Sequence, residues 1–329
     1  MSGGVMADIT RNRSSGLAFA IASALAFGGS GPVARPLIDA GLDPLHVTWL
    51  RVAGAALLLL PVAFRHHRTL RTRPALLLAY GVFPMAGVQA FYFAAISRIP
   101  VGVALLIEFL GPVLVLLWTR LVRRIPVSRA ASLGVALAVI GLGCLVEVWA
   151  GIRLDAVGLI LALAAAVCQA TYFLLSDTAR DDVDPLAVIS YGALIATALL
   201  SLLARPWTLP WGILAQNVGF GGLDIPALIL LVWLALVATT IAYLTGVAAV
   251  RRLSPVVAGG VAYLEVVTSI VLAWLLLGEA LSVAQLVGAA AVVTGAFLAQ
   301  TAVPDTSAAQ GPETLPTAQD PAPQTGSAR

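Results

Sequence analysis

The chain of 329 residues is 60% apolar and only 11% charged, with a mean hydropathy of +0.98. A soluble domain carries about 25% charged residues, so a water-soluble globular protein is excluded and an integral membrane protein is indicated. All 19 basic residues are arginine, which removes P-loop and Schiff-base chemistry, and the net charge of +3 lies in arginine clusters between apolar runs, an orientation signal rather than a nucleic-acid surface. A hydrocarbon core of about 30 Å needs roughly 20 apolar residues per helix. Cutting the chain at Pro, Gly and charge predicts ten spans: Leu17–Leu37, Pro44–Phe64, Pro74–Ile96, Pro100–Thr119, Arg129–Val148, Asp155–Leu175, Asp184–Leu203, Ile225–Val250, Pro255–Leu277 and Ser282–Ala302. The runs are unbroken and do not alternate with period two, so they are helices and not barrel strands. The first is too long, and too closely followed by others, for a cleaved signal peptide. Residues 1–16 form a cytoplasmic N-terminal segment. Arg205–Asp224 is the one long outer loop, with Trp207 and Trp211 at headgroup level. Residues 303–329, rich in Pro, Ala, Thr, Gln and Gly, form a disordered cytoplasmic tail.

With the N-terminus inside, fourteen arginines fall on inner segments and four on outer ones, with Arg51 left inside a span. Both termini are therefore expected in the cytoplasm of a multi-pass cell-membrane protein. A shift of 154 residues superposes Arg98 on Arg252, Leu110 on Leu264, Ser128 on Ser282, Gly134 on Gly288 and Gly141 on Gly295, while a shift of 141 places Asp43-Pro44-Leu45 on Asp184-Pro185-Leu186. Residues 17–150 and 151–302 are thus two homologous five-helix units. Because five is odd, the second enters from the opposite side. The expected fold is an all-α polytopic membrane protein of ten transmembrane helices in two inverted five-helix repeats, the architecture of secondary transporters with a midplane site.

The stretch from Ser97 to Pro112, which reads SRIPVGVALLIEFLGP, resembles the fourth helix of EamA-type transporters of the drug/metabolite transporter superfamily, in the branch of the threonine and homoserine exporters. Arg251 to Pro255, Leu264-Glu265 and Leu275 to Glu279 are similar to the family's ninth helix and its ending. The resemblance covers about Leu17 to Ala302 and implies ten helices and export of small metabolites, amino acids among them. Two departures stand out. Family members often have Glu-Pro in helix nine where this chain has Glu265-Val266, which removes one cause of a kink there, and Arg123 to Pro126 in the first unit stand where the second has Leu277 to Ala280.

Glu108 lies about 8 residues into its helix, roughly 12 Å deep at 1.5 Å per residue, and Glu265 is near mid-bilayer. A carboxylate at such depth costs several kcal/mol unless paired, hydrated or protonated, so both are candidate substrate or proton sites. The alternative is a protonated acid that bridges helices. Arg51 has no counterpart in the second unit, where Gly192 stands; it can bind a substrate carboxylate bidentately, pair with Glu108 or snorkel to the headgroups. Gln89, Tyr92 and Phe93 share a helix face, as do Thr239 and Tyr243, and Glu265, Thr268 and Ser269; with Gln169 and Tyr172 these make the candidate cavity walls, the alternative again being helix bridging.

Gly28-Gly29-Ser30-Gly31 matches the pattern of an intramembrane serine protease, but the histidines His46, His66 and His67 all lie at span ends and supply no base. The glycines and Pro32 are better read as close packing and a broken first helix. Cys144 and Cys168 lie in apolar runs and give neither a disulfide framework nor metal-ligand spacing. Glu279, at an exposed outer end, is expected to cap or to mark topology. The leading expectation is therefore a secondary exporter acting by alternating access, and not an enzyme; a membrane enzyme or a scaffold on the same helices is the alternative, and a plain channel has no need of an inverted repeat. Its partners are a small-molecule substrate and the bilayer, with proton coupling and a homodimer compatible. No metal, cofactor or nucleic acid is called for.

Overall fold

The computed structural model describes residues 2–124, 128–147, 154–178, 183–253 and 255–301. The expected disordered tail and the loops bearing Arg153 and Arg180 lie outside them. Among the described residues nine helices are long and apolar enough to cross a membrane: Ser14–Asp39, Pro44–Arg65, Pro74–Ile96, Val101–Leu121, Arg129–Val146, Ala156–Leu175, Pro185–Ala204, Ala227–Val250 and Gly260–Leu277, here the first to ninth spans. A shorter apolar helix, Val283–Ala299, follows them where the tenth span was expected.

Local chemistry explains why the two units start alike. Asp43 and Asp184 each accept the backbone N–H two residues on, from Leu45 and from Leu186, at 2.8 Å, with a proline at the first helical position; both devices favour a helix start. Ser128 caps the fifth span through the N–H of Ala131 at 3.1 Å. Its counterpart Ser282 accepts from the N–H of Gln285 at 3.1 Å while the Gln285 side chain accepts from the N–H of Ser282 at 3.0 Å, a reciprocal capping box.

The packing obeys the same repeat. The first span lies on the eighth and the sixth on the third; the first lies on the ninth and the sixth on the fourth; the second lies on the eighth and the seventh on the third. The second packs on the seventh, the fourth on the ninth and the fifth on the closing helix, so this set of contacts maps onto itself when the halves are exchanged. The fourth span is the most enclosed, 83% of it buried against 22% of the ninth, and the core gathers around it.

Several spans are interrupted, again in repeat-related places. The third carries a π-helical segment at Gly81–Val88 and the eighth one at Leu236–Ile241. The fourth breaks between Val101–Glu108 and Gly111–Leu121, and the ninth between Pro255–Ala262 and Leu264–Leu277, so that Phe109 and its counterpart Tyr263 occupy the two breaks and meet at 5.5 Å between ring centroids. The ninth is therefore broken even without a proline after Glu265. The first span turns at Gly29, as its glycines suggested.

Two segments outside the spans carry regular structure. The helix that holds the first span begins at Ser2 and so runs through the N-terminal segment. In the long loop after the seventh span, Asn217–Phe220 pairs antiparallel with Leu223–Pro226 around Gly221 and Gly222, both at positive φ, where glycine avoids strain. Val218 of this hairpin is buried, while Trp207 and Trp211 remain exposed.

Candidate functional site

Arg51, in the second span, is only 1% exposed, so it does not snorkel. Its Nε donates to Thr239 Oγ1 at 2.6 Å, Nη1 to Ser30 Oγ at 2.5 Å and Gln89 Oε1 at 2.7 Å, and Nη2 to the Ala238 carbonyl at 2.9 Å. The Phe93 ring lies 5.3 Å from the guanidinium carbon. The first, third and eighth spans are thus tied to the second through one side chain. The π-helical segment of the eighth supplies two of the acceptors, and Thr239 can accept because its own hydroxyl donates to the Leu234 carbonyl at 2.8 Å. Four of the five guanidinium N–H groups are used, all on neutral acceptors; the fixed ion pair with Glu108 does not form, and no carboxylate is in ion-pair contact with Arg51 among the described residues.

Beside this cation lies a small cavity lined by Phe27, Ser30, Arg51, Gln89, Tyr92, Leu105, Glu108 and Glu265. Glu108 ends the first half of the broken fourth span, and Glu265 stands in the first turn after the break of the ninth. Glu108 is 6% exposed and its Oε2 has no hydrogen-bond partner. A buried acceptor left open is costly, so it is an expected point of ligand or proton contact. The lining offers a guanidinium and two carboxyls around one enclosure, complementary to a small molecule that carries both charges.

The other candidate residues distribute as follows. Phe93 and Thr239 hold Arg51 and do not line the cavity. Tyr243 meets the cavity residue Phe27 edge to face at 4.9 Å. Thr268 packs on Gly28, and Ser269 is fully buried with an unpartnered hydroxyl oxygen. Gln169 lies against Gly111, and Tyr172 against Tyr80 at 5.7 Å; neither lines the cavity.

Comparison with known proteins matches the EamA-like transporter family model twice, over residues 14–146 and 156–301. The chain belongs to the EamA-like transporter family. The threonine/homoserine exporter RhtA of Escherichia coli K12 is 29% identical over 256 residues, spanning 76% of this chain and 80% of that protein. The same exporter of Salmonella typhimurium SL1344 is 29% identical over 260 residues, with the same coverage. A solved crystal structure of another protein, 23% identical, superposes with a TM-score of 0.57 over 88% of this chain and 98% of the other, which bears on the fold alone.

In this EamA-like transporter the Gly-x-Ser-Gly stretch is a packing device. A methyl group on Gly31 would strike the Tyr92 hydroxyl, one on Gly29 the Trp233 indole, and one on Gly28 would come within 2.7 Å of the Glu265 carbonyl oxygen. Ser30 accepts from Arg51 and serves the cavity. Glu279 corrects its expectation: its side chain is 19% exposed, and it caps not its own helix but the start of the fourth span, accepting from the Val101 N–H at 2.8 Å, with Arg35 at 3.7 Å. Arg35 also bonds Asp39 at 2.9 Å and the Ile96 carbonyl at 2.5 Å, so the first, third, fourth and ninth spans are closed together at one end. Phe27 and Leu105 escaped the sequence reading because an apolar residue in an apolar run carries no signal of its own; Leu105 was reachable only as the residue one turn before Glu108.

Proposed function

We propose that this protein is a secondary active exporter of small metabolites, amino acids such as threonine and homoserine among them, that works by alternating access at a midplane cavity between two inverted five-helix repeats. Ten spans are counted by including Val283–Ala299, and both termini are cytoplasmic in the cell membrane. The observation that carries the reading is the cavity itself, where Arg51 faces Glu108 and Glu265 at the breaks of the fourth and ninth spans. Half-helices meeting at an enclosed charged site are what a carrier requires, since the same groups must be reached from either side in turn. A substrate carboxylate is taken at the Arg51 side and its ammonium at the carboxyl side. Glu108 exchanges a proton as substrate leaves.

The test uses purified protein in vesicles with labelled threonine, homoserine and other amino acids. Parent protein should give counterflow of at least one. Glu108→Gln keeps shape and most hydrogen bonding but cannot titrate, and is expected to insert normally and lose about tenfold or more in pH-driven accumulation. Parent vesicles that move no amino acid would reject the substrate class. A Glu108→Gln protein that accumulates like the parent at every pH would reject the proton role.

A further inference from the structure

Ser30 opens the second half of the first span, after the turn at Gly29, and lines the cavity. An arginine N–H can only donate, so at the Arg51 contact Ser30 Oγ is the acceptor and its own hydrogen points elsewhere. Other hydroxyls in the spans spend that hydrogen on the carbonyl four residues back, as Thr48, Thr119, Thr197 and Ser201 do at 2.7–2.9 Å. Thr239, the second hydroxyl on Arg51, gives its hydrogen to the Leu234 carbonyl. Ser30 departs from this pattern: it is only 5% exposed, yet its hydrogen meets no acceptor among the described residues. Its place is fixed from both sides. A methyl group on Gly29 would strike Trp233 and one on Gly31 the Tyr92 hydroxyl, so the backbone that carries Ser30 is wedged between the eighth and third spans.

Arg51 itself has little left to give. Nε and both hydrogens of Nη1 are taken, and Nη2 keeps one. A bidentate grip on a carboxylate needs two parallel N–H groups of the fork, and the guanidinium so held does not offer them. One N–H and the charge remain. We infer that the Ser30 hydroxyl supplies the second donor, so that a substrate carboxylate is bound by Ser30 and Arg51 together. Across the same enclosure Glu108 Oε2 is the open acceptor, suited to an ammonium. Two donors beside a cation and an acceptor opposite select a zwitterion over the same molecule with its carboxylate neutralised, because a hydrogen bond to an ionised oxygen is about twice as strong as one to a neutral oxygen. This role of Ser30 rests on the amino-acid reading of the cavity and names the side chain that recognises the carboxylate.

The test is competition in vesicles. Counterflow of labelled threonine, or of the amino acid that the parent moves best, is inhibited by the unlabelled amino acid and by its amide, which keeps the ammonium and side chain but has no anionic oxygen. Ser30→Ala should raise the half-inhibitory concentration of the amino acid about tenfold or more, the scale of a hydrogen bond to a charged group, and that of the amide less than about threefold. Thr239→Val removes another Arg51 contact without touching the cavity lining, and is expected to cost the amino acid only about threefold. If Ser30→Ala inserts poorly, Ser30→Cys carries the test: the thiol is a weaker donor of similar size, and a loss of about fivefold for the amino acid is expected. An equal shift for amino acid and amide, or parental values for both, would overturn the carboxylate role of Ser30. A loss in Thr239→Val as large as in Ser30→Ala would show that Ser30 acts only by holding Arg51. A parent inhibited equally by amino acid and amide would reject the Ser30 role alone, whereas a parent that moves no amino acid would reject the substrate class and the Ser30 role with it.

Discussion

The Arg51 guanidinium is held by neutral oxygens, which stabilise a charge without pairing it with an opposite one, and it lines the cavity directly. The cavity lining was legible in the sequence because Arg51, Glu108, Glu265, Gln89 and Tyr92 are polar groups in apolar runs, and such residues are costly unless they face each other or a cavity. Gln169 and Tyr172 carried the same mark and also meet the partner repeat, on Gly111 and Tyr80, but away from the cavity; residue type does not tell which polar group at the repeat interface reaches the enclosure. Glu279 offers a separate test outside the spans. Burial is the largest influence and raises its carboxyl above the ordinary value of 4.5, with Asp39 acting in the same direction and the Val101 N–H and Arg35 opposing. A carboxyl with a higher pKa folded than unfolded contributes stability that is full below its unfolded value and lost as pH rises through the folded one. Glu279→Gln still offers an oxygen to Val101 but cannot titrate. From pH 4.5 upward its thermal midpoint in detergent should therefore fall less than that of the parent, with transport little changed. Parallel curves would show that Glu279 does not titrate in this range.

The closing helix and the fifth span illustrate how an element can depend on the absence of side chains. Gly134 and Gly141 face Gly295 and Gly288, and a Cβ on Gly288 would lie 2.7 Å from both the Gly141 carbonyl oxygen and the Leu145 nitrogen. These are backbone atoms and cannot swing aside, so the helices approach closely only because the four positions are bare. Gly288→Val should destabilise the folded protein by about 1–3 kcal/mol or more, and Gly134→Val, whose Cβ would meet the Gly295 carbonyl at 2.7 Å, should behave alike. Gly143→Ala, with open space around it, should leave the melting temperature of the purified protein unchanged. Equal stability of all three would mean that the helices can part without loss. These glycines were legible as a repeat, and the span ends were legible from Pro, Gly and charge. The π-helical segments and the breaks at Phe109 and Tyr263 were not, because they change which carbonyl a given N–H reaches without altering the apolar pattern. The hairpin was hidden by its brevity, although Gly221-Gly222 between Phe220 and Leu223 is a turn signal.

At the scale of the whole molecule, the contacts at the helix ends sort into two sets. His66, Asp184 and Arg251 gather at one end of the second, seventh and eighth spans, while Arg35, Val101 and Glu279 gather at one end of the first, fourth and ninth. For helices that cross in alternation, the second and eighth end, and the seventh begins, on one face, and the first and ninth end, and the fourth begins, on the other. The side-chain contacts are therefore consistent with alternate crossing and leave a single binary choice, which face is the cytoplasm. The proposed orientation takes the His66 face as cytoplasmic, because alternate crossing read on the sequence puts fourteen arginines on the segments of that side and four on the other, and the rule counts basic residues in short loops, which are most of the connections here. Reporter fusions after Arg73, Arg124 and Arg252 should be active as cytoplasmic reporters, and fusions near Asp43, Arg153 and Trp211 as external ones. A full reversal would keep the inverted repeat but place His66, Asp184 and Arg251 on the outside. Mixed signals would break the alternation itself, and with it the argument that two five-helix units enter the membrane from opposite sides.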